Sequence, residues 1–146
     1  MALTAHNGSD RARQLLGLTQ RLSERLQRET AILEAHRPQD LYDGIEETRQ
    51  LSNMYRHESA RIKADPSLLA GLTKAENDAL RAATEDFQRH LRRYELAVTA
   101  AKTITEGIVA AVADDMNKRR TATATYGPRA RTVSTGPQSL NYGYKA

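Results

Sequence analysis

Apolar residues recur at steps of three and four along most of the chain, the spacing that places them on one face of an α-helix. The first such stretch follows Asp10, whose side chain can cap a helix. Pro38 disfavours helical geometry at the preceding residue, so the first helix is predicted over about residues 11–36. Its apolar stripe consists of Leu15, Leu18, Leu22, Leu26 and Leu33.

A second helix is predicted over about residues 39–64, because the same spacing resumes at Leu41 and Ile45. Pro66 and Gly71 end it. Two of its stripe positions are serines, which weakens the seam locally. The rest of the stripe is Thr48, Ser52, Tyr55, Ser59 and Ile62.

The third helix is predicted over about residues 74–119. Thr73 and Glu76 form a capping box at its start, and no proline follows until Pro128. At 1.5 Å per residue this helix is roughly 68 Å long. Gly107 disfavours helix by about 1 kcal/mol relative to alanine and can bend it. The helix carries a regular period of seven: Phe87, Tyr94, Ala101, Ile108 and Asp115.

The third helix is longer than either of the other two. Short connections make consecutive helices antiparallel neighbours, so the chain is predicted to be all-α, an antiparallel three-helix coiled-coil-like bundle with an overlong last helix. Two shorter helices cover the third only as far as about Ala101. The uncovered part carries an apolar stripe that is interpreted as a partner-binding site. The stripe residues are Ile104, Ile108, Val109, Val112 and Met116.

Three interpretations of this stripe stay open at this stage. The helix can break at Gly107 and fold back, so that the stripe covers itself. Two copies of the chain can pair through it, as the period of seven favours. A different protein can bind it, which is the interpretation adopted for the prediction of function.

Beyond residue 120 the helical period stops. Residues 121–146 contain two Gly-Pro turns and many Thr and Ser residues, so a flexible tail is predicted there and a helical bundle over residues 1–120. The net charge of +4 belongs to this end of the chain: residues 117–146 hold six Lys and Arg and no acid. Aromatic candidates for anchors that become ordered on binding are Tyr126, Tyr142 and Tyr144.

No catalytic residue, metal site or cofactor is predicted. Adjacent acids such as Glu46 and Glu47 point about 100° apart on a helix and do not share a site. The sequence contains no Gly-rich phosphate-binding loop. The histidines lack the spacing of metal ligands on one helix face; they are His6, His36, His57 and His90.

Composition bears on the cellular compartment that is expected. The chain contains no cysteine, which agrees with a cytoplasmic protein. Neither a signal peptide nor an apolar run of about 18 residues is recognised, so membrane insertion is not predicted. Six positive charges spread over 30 residues are too sparse to favour nucleic acid as a partner.

Two segments resemble the FlgN-like, FlbY-type flagellar export chaperones. They are "LTQRLSERLQRETAILEAHRPQDLYDGIEETRQLSNMY" and "LRAATEDFQRHLRRYELAVTAAKTITEGIVAAV", with "TYGP" in the tail. In the first, the matching residues are Leu22, Leu26, Glu29, Leu33 and Leu41. In the second, the long helix ends with Ile104 and Ile108 ahead of "NKRR". The likeness covers about residues 15–128.

This resemblance implies a cytosolic chaperone that holds flagellar hook-associated proteins, the hook–filament junction proteins, before type III export. It implies that client segments dock at Ile104, Ile108 and Val112, with Val109 and Met116 beside them. The alternative is a self-associating coiled-coil adaptor or regulatory protein, which makes a homodimer the competing partner.

Overall fold

In the computed structural model, which describes residues 3–125, the chain is all-α and these residues contain no strand. The helices are α1 (Gly8–Glu34), α2 (Ile45–Ala64) and α3 (Lys74–Thr125). Short 3-10 turns at Pro38–Leu41 and Pro66–Leu69 connect them. The predicted fold class, three helices with a long last one, is confirmed.

The chain divides into two compact units, Met1–Thr105 and Glu106–Ala146. The first unit contains α1, α2 and the first part of α3, and it holds the core. In the second unit, the residues that the structure describes all belong to α3.

Helices α1 and α2 run antiparallel in the first unit. Near the start of α1, Arg11 Nη1 lies 2.8 Å from Glu58 Oε2 in the second half of α2. Further along α1, Arg25 Nε donates to Thr48 Oγ1, near the start of α2, at 3.1 Å. The short connection after Pro38 produces this reversal.

Helices α1 and α3 run parallel. The hydroxyl of Ser9, at the start of α1, donates to the carboxylate of Glu76, at the start of α3. Near the other end of α1, Arg93 Nη2 lies 2.8 Å from Glu34 Oε2. Helix α3 therefore packs beside α1 with the same direction, as expected for consecutive antiparallel steps.

The core is a thin aliphatic seam along α1 closed by one aromatic pair. The ring of Phe87 from α3 lies 4.8 Å, centroid to centroid, from the ring of Tyr55 on α2. This tilted pair joins the two helices across the leucines of α1. The buried cluster consists of Leu15, Leu18, Leu22, Leu26, Leu51 and Phe87.

Two buried glutamates fix the helices in register, and the sequence pattern did not indicate either. Glu29 of α1 accepts from the Thr48 hydroxyl of α2 and lies 3.5 Å from Arg25 Nη2. Burial raises the pKa of Tyr94 on α3, and the charge of Glu29 with a hydrogen bond to it raises that pKa further. The Glu29 carboxylate thus connects all three helices. If the helices packed in another register, this buried carboxylate would lose its hydrogen-bond partners.

The second buried acid, Glu58, is fully enclosed. It accepts from the Leu3 N–H at 2.9 Å and lies 2.8 Å from Arg11 and 3.1 Å from Arg61. Burial alone would raise the pKa of Glu58, but the Leu3 hydrogen bond and the guanidiniums of Arg61 and Arg11 outweigh it and hold the pKa below its ordinary value. The carboxylate is therefore ionised in the folded protein at neutral pH.

The predicted limits of α1 were displaced at both ends. The cap is Asn7 and not Asp10: the Asn7 side chain accepts from the Asp10 N–H at 2.8 Å. Helix α1 ends at Glu34 because His36 adopts a positive φ of 57°. The His36 and Arg37 N–H groups then donate back to the carbonyls of Leu33 and Ile32, which closes the helix before Pro38 is reached.

Helix α2 begins six residues later than the predicted residue 39. Pro38 starts a 3-10 turn, and the helix is delayed until after Gly44. A Cβ at Gly44 would lie 1.6 Å from Arg25 Nη2, so any other residue at this corner would displace the end of the Arg25 side chain. Helix α3 starts at Lys74 and extends past the predicted residue 119 to Thr125; the remaining tail lies outside the described residues.

Replacing Glu58 by Gln is expected to lower the free energy of unfolding by about 3 kcal/mol at neutral pH, because two arginines lose a buried partner. Since the folded pKa of Glu58 is depressed, its contribution is present above the ordinary pKa of 4.5 and is lost as pH falls through the lower folded value. Urea unfolding from pH 7 to pH 3 measures this.

The matched control is Glu47→Gln, whose exposed carboxylate pairs with Arg21 at the surface. It is expected to change stability by less than about 0.5 kcal/mol. A Glu58→Gln variant as stable as this control, or one whose deficit grows in acid, contradicts the assignment.

Candidate partner-binding surface

Burial along one face of α3 falls steadily towards its C-terminal end. Phe87 is 7% exposed, and Tyr94 and Ala101, one and two sevens later, are half-buried. Ile108, on the same period of seven, is 59% exposed. Every residue from 102 through 124 is exposed, so the face that forms the core in the first half of α3 has no cover in the second half.

The five predicted site residues lie on this face, and each is between 46% and 63% exposed. At 100° per residue they span about 140° of the helix circumference. Ile104 belongs to the end of the first unit and the other four belong to the second. The stripe, as we name these residues below, is Ile104, Ile108, Val109, Val112 and Met116.

Gly107 does not interrupt the helix. Residues on both sides of it are α-helical, and a Cβ added there would meet nothing within 4 Å. The fold-back interpretation is therefore wrong for the described residues. The helical bonds around Gly107 outweigh its propensity cost of about 1 kcal/mol.

Ion pairs one helical turn apart border the end of the stripe. Asp114 Oδ2 lies 3.0 Å from Lys118 Nζ, and Asp115 Oδ2 lies 3.0 Å from Arg119 Nε. Asp115 lies seven residues after Ile108 and replaces an apolar residue on this face. The apolar face therefore ends here, with Met116 as its last member. Such acid-to-base pairs support an exposed helix by a few tenths of a kcal/mol each.

Helix α3 contains a stretch that is apolar enough to cross a membrane by length and composition. The sequence analysis had recognised no apolar run of about 18 residues, and that expectation was wrong. An 18-residue window of α3 has a mean hydropathy of 1.5, and 6% of it is buried. The expectation missed it because alanines fill positions between the aliphatic residues, and no unbroken run of large apolar residues occurs. Length and composition are the only features that favour a membrane span.

A second apolar patch lies at the corner between α1 and α2, and the sequence pattern did not predict it. Tyr42 is 82% exposed and Ile45 is half exposed; with Leu41 and Pro38 they surround an open depression. Ile45 had been placed on the buried stripe of α2. Ile45 is the first residue of α2 and lies about 120° around that helix from the buried Leu51, so it stands at the edge of the buried face.

The described part of the chain brings no set of side chains together that resembles a catalytic or metal site. No set of three or more His, Asp or Glu side chains among residues 3–125 is placed to hold a metal ion. His90 Nε2 lies 3.4 Å from Asp86 Oδ2 on the surface of α3. His36 adopts the positive φ that ends α1. The proposed tail anchors Tyr126, Tyr142 and Tyr144 lie outside the described residues.

Comparison with known proteins identifies the family. The chain is 38% identical over 138 residues to the flagellar basal-body protein FlbY of Caulobacter vibrioides. The match covers 94% of this chain and 93% of that protein. This chain belongs to the FlbY family.

The flagellar family resemblance found in the sequence is thereby confirmed, and the FlbY-family chain is a flagella-related protein. No family model matches it, and no solved structure matches it. The match spans both compact units, so α1, α2 and the exposed part of α3 all belong to the shared chain.

Two alanine substitutions on the same period of seven are expected to differ sharply in their effect on this FlbY-family protein. Phe87→Ala should lower the free energy of unfolding by about 3–5 kcal/mol, because it removes a buried ring and leaves a cavity in the core. Ile108→Ala should change it by less than about 0.5 kcal/mol, because the side chain has no cover to lose. Denaturant unfolding of the two variants measures the difference; comparable losses contradict an uncovered stripe.

Proposed function

We propose that this protein is a flagellar export chaperone whose stripe binds apolar terminal helices of hook–filament junction proteins before type III secretion. The single observation that carries the proposal is the exposed continuation, on one unbroken helix, of the face that forms the core. Family membership supports a flagellar partner. The proposed compartment is the cytoplasm, and the proposed role is binding without catalysis or a cofactor.

The stripe suits an amphipathic helix as its ligand. An apolar helix face is normally covered by another helix, as the first half of α3 is covered by α1 and α2. Terminal helices of an assembly protein would self-associate through their own apolar faces before export. A helix that offers a matching face keeps them apart until they reach the export apparatus.

The size of the stripe favours binding that can be reversed. Full burial of one such side chain contributes about 1.5–3 kcal/mol, and these side chains are already partly covered by their own helix. Association costs about 4–15 kcal/mol in lost freedom of motion, so five such contacts leave a modest net affinity. We propose that tail residues Tyr126, Tyr142 and Tyr144 add contacts when a client is bound.

A self-associating coiled-coil adaptor is the second candidate, because the period of seven through Ile108 suits an identical helix. The interrupting Asp115 and Thr105 shorten such a seam. In sedimentation with purified junction protein, the chaperone account expects a mixed complex, whereas an adaptor would remain a self-associated species that leaves the junction protein unbound.

Replacing Ile108 by Asp is expected to weaken capture of a purified junction protein more than tenfold, because an unpaired carboxylate would have to be buried in the interface. The helix content and melting temperature should stay unchanged, since Ile108 has no packing in the free chain. Titration by isothermal calorimetry, with circular dichroism on the same samples, provides both readouts.

The control is Ala110→Asp, which adds the same charge about 200° around the helix from Ile108. Its capture should match that of the unchanged protein. Undiminished capture by Ile108→Asp, or equal losses in the two variants, would count against the stripe as the docking site.

A further inference from the structure

The side of α3 that faces away from the stripe carries fewer charges in the second half of the helix than in the first. Eighteen residues make five full turns, so positions 18 apart lie on the same side. In the first half, exposed charged residues on this side include Arg81, Glu85 and Arg92. The residues 18 positions later are the uncharged Thr99, Thr103 and Ala110.

This change makes a whole segment of α3 apolar, and not only one face of it. Residues 96–113 contain two charged side chains, Lys102 and Glu106. An 18-residue window of α3 accordingly reaches a mean hydropathy of 1.5. A helix that binds another protein needs one apolar face and typically keeps charges on the opposite face. The composition of this segment therefore favours lipid as its surroundings.

The segment is too short to span a bilayer while the first unit stays folded. Ala97 is buried in the first unit, and Ala101 is half-buried there. The apolar part that is fully exposed therefore runs from Lys102 to Ala113, about 18 Å at 1.5 Å per residue. Because the hydrocarbon core of a bilayer is about 30 Å thick, the length allows the helix to lie on a bilayer but not to cross it.

A helix on a bilayer surface sinks about 5–10 Å into the boundary between headgroups and acyl chains. Its diameter with side chains is about 10–12 Å, so the side opposite the stripe also lies at the headgroups. Uncharged side chains there avoid the desolvation that charged groups would suffer. The five exposed aliphatic side chains of the stripe are the part that would enter the acyl layer.

Positive charge follows the stripe directly. Lys118, Arg119 and Arg120 come after its last residue, and no acid occurs from residue 116 to residue 146. Lys118 and Arg119 pair with Asp114 and Asp115 one helical turn earlier. From residue 106 onward, three acids and six bases nevertheless leave a net charge of +3. The pairs do not cancel this charge, which is complementary to an anionic lipid surface.

We propose that the exposed part of α3 binds the surface of an anionic phospholipid bilayer. The stripe lies towards the acyl chains, and the bases that follow it lie at the lipid phosphates. The contact uses α3 and the residues after it, and it goes beyond the capture of a client.

The bilayer also displaces a client, a consequence that rests on the proposed function. A client helix and the acyl layer require the same stripe side chains, so they exclude each other. Phosphatidylglycerol vesicles added to a complex with junction protein are expected to release the junction protein. A complex that floats intact with the vesicles would overturn this shared use of the stripe.

Vesicle flotation of the full chain, with no client present, tests the lipid contact. Partition into phosphatidylglycerol vesicles should exceed partition into phosphatidylcholine vesicles by about a hundredfold at low salt, because each net positive charge at an anionic surface contributes about fivefold. The difference should shrink as salt is added. Equal partition into both lipids, or binding to neither, overturns the proposal.

A matched pair of double variants tests which side of α3 enters the bilayer. Ile108→Gln with Val112→Gln should lower partition into phosphatidylglycerol vesicles by more than about tenfold, because two aliphatic side chains no longer insert and the charge is unchanged. Thr103→Gln with Ala110→Gln adds the same groups on the opposite side and should lower it by less than about threefold. All four positions are exposed, so circular dichroism should show equal helix content. Equal losses of partition overturn the proposed orientation.

Neutralising the basic end of α3 separates this inference from the proposed function. A triple variant with Lys118→Gln, Arg119→Gln and Arg120→Gln leaves the stripe unchanged. It should lower partition into phosphatidylglycerol vesicles by about a hundredfold and leave capture of junction protein intact. Undiminished partition overturns the lipid contact. Vesicle binding by an unchanged chain that captures no junction protein overturns only the proposed function.

Discussion

The constraint on which the rest of the structure depends is that an apolar helix face needs two neighbouring helices to cover it. In the first unit, α1 and α2 provide that cover for α3, through the leucines of α1 and the contact of Phe87 with Tyr55. Cover ends at Ala101, and the face itself continues to Met116. The proposed function rests on this difference, because an exposed apolar patch of this kind is typical of a contact site.

Polar contacts, and not a large core, give the first unit its unique alignment. A seam of leucines tolerates a shift of one turn, since one leucine replaces another at nearly equal cost. Glu29 and Glu58 do not tolerate it, because each would lose its hydrogen bonds in a buried site. The leucines therefore supply the burial, and the buried acids fix the register of the helices. Together they hold the first part of α3 in place.

Much of this architecture could be predicted from periodicity. The stripe of α1, the capping box at Thr73 and the continuation of α3 through Ile108 each depend on residue spacing alone. The buried Glu58, the positive φ of His36 and the late start of α2 at Ile45 could not be predicted that way. Each depends on a neighbour distant in sequence or on a backbone turn, and a helical pattern records neither.

The central claim is that a flagellar client lies against the stripe. It is tested most directly by a photo-reactive amino acid placed at position 108 or, as control, at position 110, with purified junction protein added before illumination. The account predicts cross-links to a terminal helix of the client from position 108 and few from position 110. Cross-links of equal yield from both positions, or from position 110 alone, would contradict it.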